Sequence, residues 1–179
     1  MASVGYMLLR YVSNGSYRVM VKALSLEEGK IITIKTSSYS SVVEKESSIL
    51  NNLSPNEYVV RILGQGKAEI VNECFLEELI GNGHTSPSMN ANEVVYIIVE
   101  FMDMDLHSLI KSRRRILHGG GYIKYNSQVQ VRSLMWKLFN GVAYYHKKGI
   151  THRDINPPNY LLSISKINGV IKLKLADFG

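Results

Sequence analysis

Between apolar flanks, the stretch "THRDINPPNYLL" (residues 151–162) packs a His, an Arg, an Asp, two prolines and an Asn. Asn159 stands five positions after Asp154, and Asp177 follows in "LADFG" at the end of the sequence. An Asp and an Asn five apart occur in many loops. Their combination with "LADFG", and with a preceding helical segment that ends "YYHKKGITHRD", is rare. Groups of these types can take a proton from a hydroxyl or hold a cation. Loop residues of this kind act only if regular elements on either side hold them.

Those elements can be read from the hydrophobic pattern. Alternation in "YRVMVKAL" (Tyr17, Val19, Val21, Ala23), a turn at "SLEEG" and then "KIITIK" predict a hairpin. "SSVVEKESSILNNL" places Val43, Glu46, Ile49, Leu50 and Leu53 at helical spacing, with serines at its start. "YVVRIL" (58–63) and "EVVYIIVEF" (93–101) are β-branched apolar runs that predict buried strands, and "GNGHTSPSMNAN" (81–92) predicts a surface loop. "DLHSLIKSRRRIL" predicts a helix, interrupted by "HGGGYIKYN". "SQVQVRSLMWKLFNGVAYYHKKG" predicts a long helix with an apolar stripe of Val131, Leu134, Met135, Leu138, Val142 and Tyr145. "YLLSISKINGVIKLKLADFG" predicts a second hairpin. The fold class is α+β, with no internal repeat.

Composition narrows the function classes. The 179 residues are 45% apolar and 20% charged, as in ordinary globular chains. No apolar run approaches the roughly 20 residues of a membrane span. Arg10, Ser13, Asn14 and Arg18 interrupt the start, which argues against a signal peptide. Cys74 is the single cysteine, so no intrachain disulfide forms and an intracellular setting, nucleus or cytoplasm, is expected. The net charge of +6 is dispersed apart from "KSRRR" (111–115), so a solvated helix end is preferred there to a nucleic-acid patch.

His152-Arg153-Asp154, Asn159 and Asp177-Phe178-Gly179 resemble the catalytic loop and metal-binding motif of eukaryotic protein kinases. "EFMDMDLHSLI", "LMWKLFNGVAYYHKKGITHRD" and "LKLADFG" are similar to the group holding cyclin-dependent and MAP kinases. The resemblance implies a protein-kinase-like fold. It would have a complete small lobe over 1–101, a twisted antiparallel sheet plus one helix, and over 102–179 the hinge and first part of a helical large lobe. It implies serine/threonine phosphotransfer from ATP with Mg2+, to a protein substrate, with a cyclin-like regulatory subunit as further partner. Asp154 would be the base beside Arg153, and Asn159 and Asp177 the metal ligands. Lys35 in "IITIK" would contact the phosphates and pair with Glu46, preferred to Glu44. Gly15 would lie in the phosphate-covering loop, and Ser16 and Tyr17 at positions of inhibitory phosphorylation. Val12, Met20, Thr33 and Leu162 would wall the adenine, with Val99 as gatekeeper, Glu100 and Met102 as backbone partners and Asp105 near the ribose.

Several departures stand beside the resemblance. Lys35 and Glu46 are eleven positions apart, a short connection for the family. "SNGSYR" keeps one of three glycines, with Arg18 at the third. The helix motif that contacts cyclin is barely recognisable in "SSVVEKE". Asn156 occupies the position where these kinases carry a lysine that steadies the γ-phosphate, which removes a positive charge from the transition state. The resemblance also implies a chain truncated just after the Asp-Phe-Gly motif, inactive as a fragment, with part of the long helix's apolar stripe uncovered. The alternative is a pseudokinase-like nucleotide-binding or scaffolding protein.

Overall fold

A computed structural model of the chain describes residues 5–15, 18–37, 39–69, 93–111, 128–164 and 171–178. The segments "GNGHTSPSMNAN" and "HGGGYIKYN", together with Cys74, Ser16, Tyr17, residues 112–115 and Gly179, lie outside the described residues. The chain divides into two compact units. The first comprises residues 1–48 and 62–101 with residue 179, and the second residues 49–61 and 102–178.

The first unit is built on an antiparallel sheet. Its strands are β1 (Tyr6–Gly15), β2 (Arg18–Ser25), β3 (Ile31–Ser37), β4 (Ile62–Glu69) and β5 (Glu93–Glu100), in the order β1-β2-β3-β5-β4. Gly29, at a φ of 64°, turns the chain from β2 into β3, a conformation that costs glycine little. Ala23, Ile32 and Ile98 form the buried cluster of one sheet face, with Ile34, Tyr6 and Tyr96 packed around it. Register puts Met20 opposite Lys35, Lys35 opposite Ile97, and Thr33 opposite Val99. Directly paired residues share a face, so Met20, Thr33, Lys35, Ile97 and Val99 lie together on the other one. Helix α1 (Ser40–Leu53), which belongs to the first unit through Ser48 and to the second from Ile49, matches its expected segment residue for residue, and buries Val43, Glu46, Ser47, Leu50 and Leu53.

The strand expected over 58–63 is displaced. Val59 and Val60 are buried, but not as strand residues of the first unit. In the second unit Val59 makes a lone parallel bridge to Leu175, Val60 N–H donates to the Leu175 carbonyl (3.0 Å), and Leu175 N–H donates to that of Tyr58 (2.8 Å). The strand begins at Ile62 and runs through Gly64 and Gly66. A Cβ on Gly66 would lie 2.6 Å from the Tyr96 hydroxyl, so a side chain at this strand position would require the Tyr96 ring to move.

In the second unit the two-residue β6 (Met104–Asp105) pairs with β7 (Tyr160–Ile164), which pairs with β8 (Ile171–Leu175), all antiparallel. The hairpin β7–β8 is the expected one, and β6 adds an unexpected third strand. Residues 106–111 are helical, and α2 (Gln128–Lys147) is the long helix. Tyr145 on α2 is fully buried, and the Tyr144 hydroxyl donates to the Leu53 carbonyl at 3.0 Å. Lys137 Nζ donates to the carbonyl of Ile171. Of the expected stripe, Val131 and Met135 are exposed, as are Trp136 and Phe139 beside them. Among the described residues no helix is long and apolar enough to cross a membrane.

Candidate functional site

In the first unit, β3 and α1 bring Lys35 and Glu46 together. The ammonium donates to both carboxylate oxygens, at 2.7 and 2.6 Å. Lys35 is 8% exposed and Glu46 3%, whereas Glu44 faces solvent. An ammonium and a carboxylate this deep are tolerable only as a hydrogen-bonded pair. One turn register on α1 decides which glutamate it is: Glu46 shares the buried side with Val43 and Leu50, three before and four after. Beside them Ser47 Oγ donates to Gln65 of β4. On the sheet face of Lys35, Thr33 and Met20 are half-buried and Val99 is buried, while Val12 on β1 is 46% exposed. Gly15 ends β1 opposite Arg18 in the hairpin. Glu100 pairs with Ile32 and so lies on the opposite sheet face from Lys35.

In the second unit the loop after α2 is held by its histidine. His152 is 3% exposed. Its Nδ1 accepts from Asp154 N–H (3.3 Å), which leaves Nε2 to donate to the Ala176 carbonyl (2.9 Å). Its ring stands edge-on to buried Phe178, centroids 4.6 Å apart, and Phe178 packs the same way on Tyr145 at 5.7 Å. Ala176 N–H donates to the Asn159 carbonyl (2.9 Å). The loop carrying Asp154 and the segment carrying Asp177 are thereby stitched together twice. Arg153 and Asp177 both have φ of 69°, a left-handed conformation that costs a non-glycine residue roughly 1–3 kcal/mol and survives where the surroundings over-determine it. Sequence reading assigned His152 no role of its own; its place immediately before Arg153-Asp154 was the available signal.

The Asp154 carboxylate is exposed and engaged at both oxygens. Asn156 Nδ2 donates to Oδ1 at 2.7 Å, and Asn159 Nδ2 donates to Oδ2 at 3.0 Å and to the Asp154 carbonyl at 2.9 Å. Asn159 thus spends its amide nitrogen on Asp154, which leaves its Oδ1 as the group's remaining acceptor. That oxygen and the half-buried Asp177 carboxylate are hard donors of the kind Mg2+ takes alongside phosphate oxygens and water. Among the described residues no group of three or more His, Cys, Asp or Glu side chains gathers.

Leu162 is fully buried on β7, its carbonyl accepting from Asp103 N–H at 2.8 Å, and Met102 is buried nearby in sequence. Asp105 is occupied locally: its carboxylate accepts from Ser108 N–H (2.7 Å) and Oγ (2.6 Å) at the start of the 106–111 helix. It is the cap of that helix, a role its sequence position before "LHSLI" allowed but did not require.

The chain matches the family described as protein kinase domain over residues 6–179. It is 32% identical to cyclin-dependent kinase B1-1 of Arabidopsis thaliana over 97% of its own length and 52% of that relative's. It is 30% identical to cell division control protein 2 homolog C of Antirrhinum majus, over 97% and 51%. Serine/threonine-protein kinase SSN3 of Scheffersomyces stipitis is 27% identical over 94% and 38%. The chain thus spans about half the length of the first two relatives.

Proposed function

Because this chain belongs to the protein kinase family, on the cyclin-dependent-kinase-like side of it, we propose that it carries the nucleotide-handling and base-supplying part of a serine/threonine kinase. The observation that carries the reading is the Asp154 carboxylate, held at both oxygens beside Asn159 and joined through His152 to the segment of Asp177. In the proposed reaction a serine or threonine oxygen of a protein substrate attacks the γ-phosphorus of ATP. The bond from phosphorus to the bridging oxygen breaks, ADP leaves, and the hydroxyl proton passes to Asp154. Magnesium, when bound, neutralises charge on the phosphate oxygens. Asn159 Oδ1 and Asp177 are its proposed ligands, and Lys35, oriented by Glu46, the proposed phosphate contact. Met20, Thr33, Val99, Met102 and Leu162 are the proposed adenine surroundings, with Val12 and Gly15 toward the phosphate-covering hairpin. Arg153, exposed beside the base, is assigned no chemical step. For a cyclin-like subunit the support is the relatives' names alone.

The test, made on the chain completed with a C-terminal half of the kind its relatives have, is transfer of radiolabelled γ-phosphate to a mixed peptide library by wild type and Asp154→Asn. Loss of a general base costs roughly 10²–10⁴-fold. Equal rates, or labelling mainly on tyrosine, would overturn the proposal.

A further inference from the structure

Asn156 makes two opposed uses of one amide. Its backbone is extended (φ −146°, ψ 161°) and it caps the single 3₁₀ turn Pro157–Asn159, its Oδ1 accepting from Asn159 N–H at 3.2 Å. Its Nδ2 meanwhile donates to Asp154 Oδ1 at 2.7 Å. The assignment is self-consistent, since a flipped amide would set oxygen against a carboxylate and NH2 against an N–H.

We infer that Asn156 is a positioning residue, which ties the Asp154 carboxylate to the capped turn and so fixes the direction in which the base faces its proton. The inference deepens the kinase reading and rests on it. An exposed carboxylate is otherwise free to rotate about its terminal torsion, which has a broad and roughly two-fold profile. Donors on both oxygens, Asn156 on one and Asn159 on the other, remove that freedom. Base catalysis is sensitive to such geometry, because the acceptor must lie within hydrogen-bond reach of the proton it takes. The amide meets both demands at this position. Aspartate could cap the turn but offers no donor to Asp154, and lysine could donate but offers no acceptor to Asn159 N–H. The residue thus supplies orientation at a place where the family resemblance leads one to expect a lysine's charge.

The test compares steady-state phosphotransfer and thermal melting of the purified protein, completed in the same way with a C-terminal half, as wild type, Asn156→Asp, Asn156→Ala, Asn156→Lys and Asp154→Asn. Asn156→Asp keeps the cap but sets a second carboxylate against that of Asp154, a modest cost at this exposed site, so its melting temperature falls by roughly 5 °C or less. Its kcat falls at least about tenfold, the scale of one hydrogen bond to a charged group, while KM for ATP changes less than about twofold. Asn156→Ala loses both kcat and melting temperature, and Asn156→Lys does not exceed the wild-type kcat. Wild-type kcat in Asn156→Asp, with Asp154→Asn inactive, would reduce Asn156 to a cap and overturn the inference while leaving the kinase reading intact. A gain of about tenfold in Asn156→Lys would do the same in favour of missing charge. Full activity in Asp154→Asn would bring down the kinase reading and this inference with it. Independently of activity, the side-chain amide resonances of Asn156 should move in Asp154→Ala, and their staying in place would refute the hydrogen bond.

Discussion

The two units fix a charged group by different means. In the first, Lys35 and Glu46 are almost wholly removed from water, and each is the other's charged partner. In the second, Asp154 faces solvent and is held by amides that are themselves held by a turn. Burial makes a pair strong and costly to break, because the survivor is left charged in a poor solvent. Solvation makes the second arrangement easy to break and leaves the carboxylate accessible to a substrate. A lysine that only has to stay put suits the first solution, and a base that must meet a proton suits the second.

The comparison breaks first at the buried pair. Lys35→Met or Glu46→Ala should each destabilise the first unit by about 3–5 kcal/mol, and Lys35→Met with Glu46→Leu should recover most of that. Urea titration followed by far-UV circular dichroism measures it; single mutants within about 1 kcal/mol of wild type would show that the pair contributes little.

A third case sharpens the contrast: burial without a strong partner. Among the described residues the hydroxyls of Tyr145 and Tyr160 in the second unit are buried with only each other for polar company and in no well-formed hydrogen bond, and burial pushes both phenols above their ordinary range. The folded state therefore holds their protons more tightly than the unfolded chain does. The stability they contribute is complete below about pH 10, where the unfolded phenol titrates, and is lost as pH rises from there through the folded values. Melting temperature should fall above that pH, and less steeply in Tyr145→Phe. Near neutral pH, Tyr145→Phe should be neutral or stabilising by about 1 kcal/mol, since it deletes an unsatisfied polar group. The smallest effect belongs to the exposed carboxylate: Asp154→Asn should leave stability within about 0.5 kcal/mol of wild type by the same urea titration, however much activity it removes.

The sequence announced elements whose faces follow one period and missed those that depend on a neighbour. Helix α1 was legible residue for residue, because Val43, Glu46, Leu50 and Leu53 repeat at helical spacing. Strand β4 was not, since "ILGQGKAE" alternates weakly and its Gly66 is favoured by Tyr96 on β5 rather than by anything local. Val59 and Val60 looked like strand because they are β-branched and buried; what buries them is the second unit. At the site, residue types and roles could be proposed from spacing and resemblance. The double use of the Asn156 amide could not, because it depends on an extended backbone before the turn and on left-handed Arg153 three residues earlier. The capping role of Asp105 was hidden because the residue stands just before a short helix, at the end of the two-residue β6.

Trp136 is the chain's one tryptophan, and it stands on α2 at 60% exposure. Its indole emission will accordingly sit near that of a hydrated fluorophore and be readily quenched by acrylamide. Because the indole is already hydrated, its emission will shift little when the second unit melts, and circular dichroism remains the probe of unfolding.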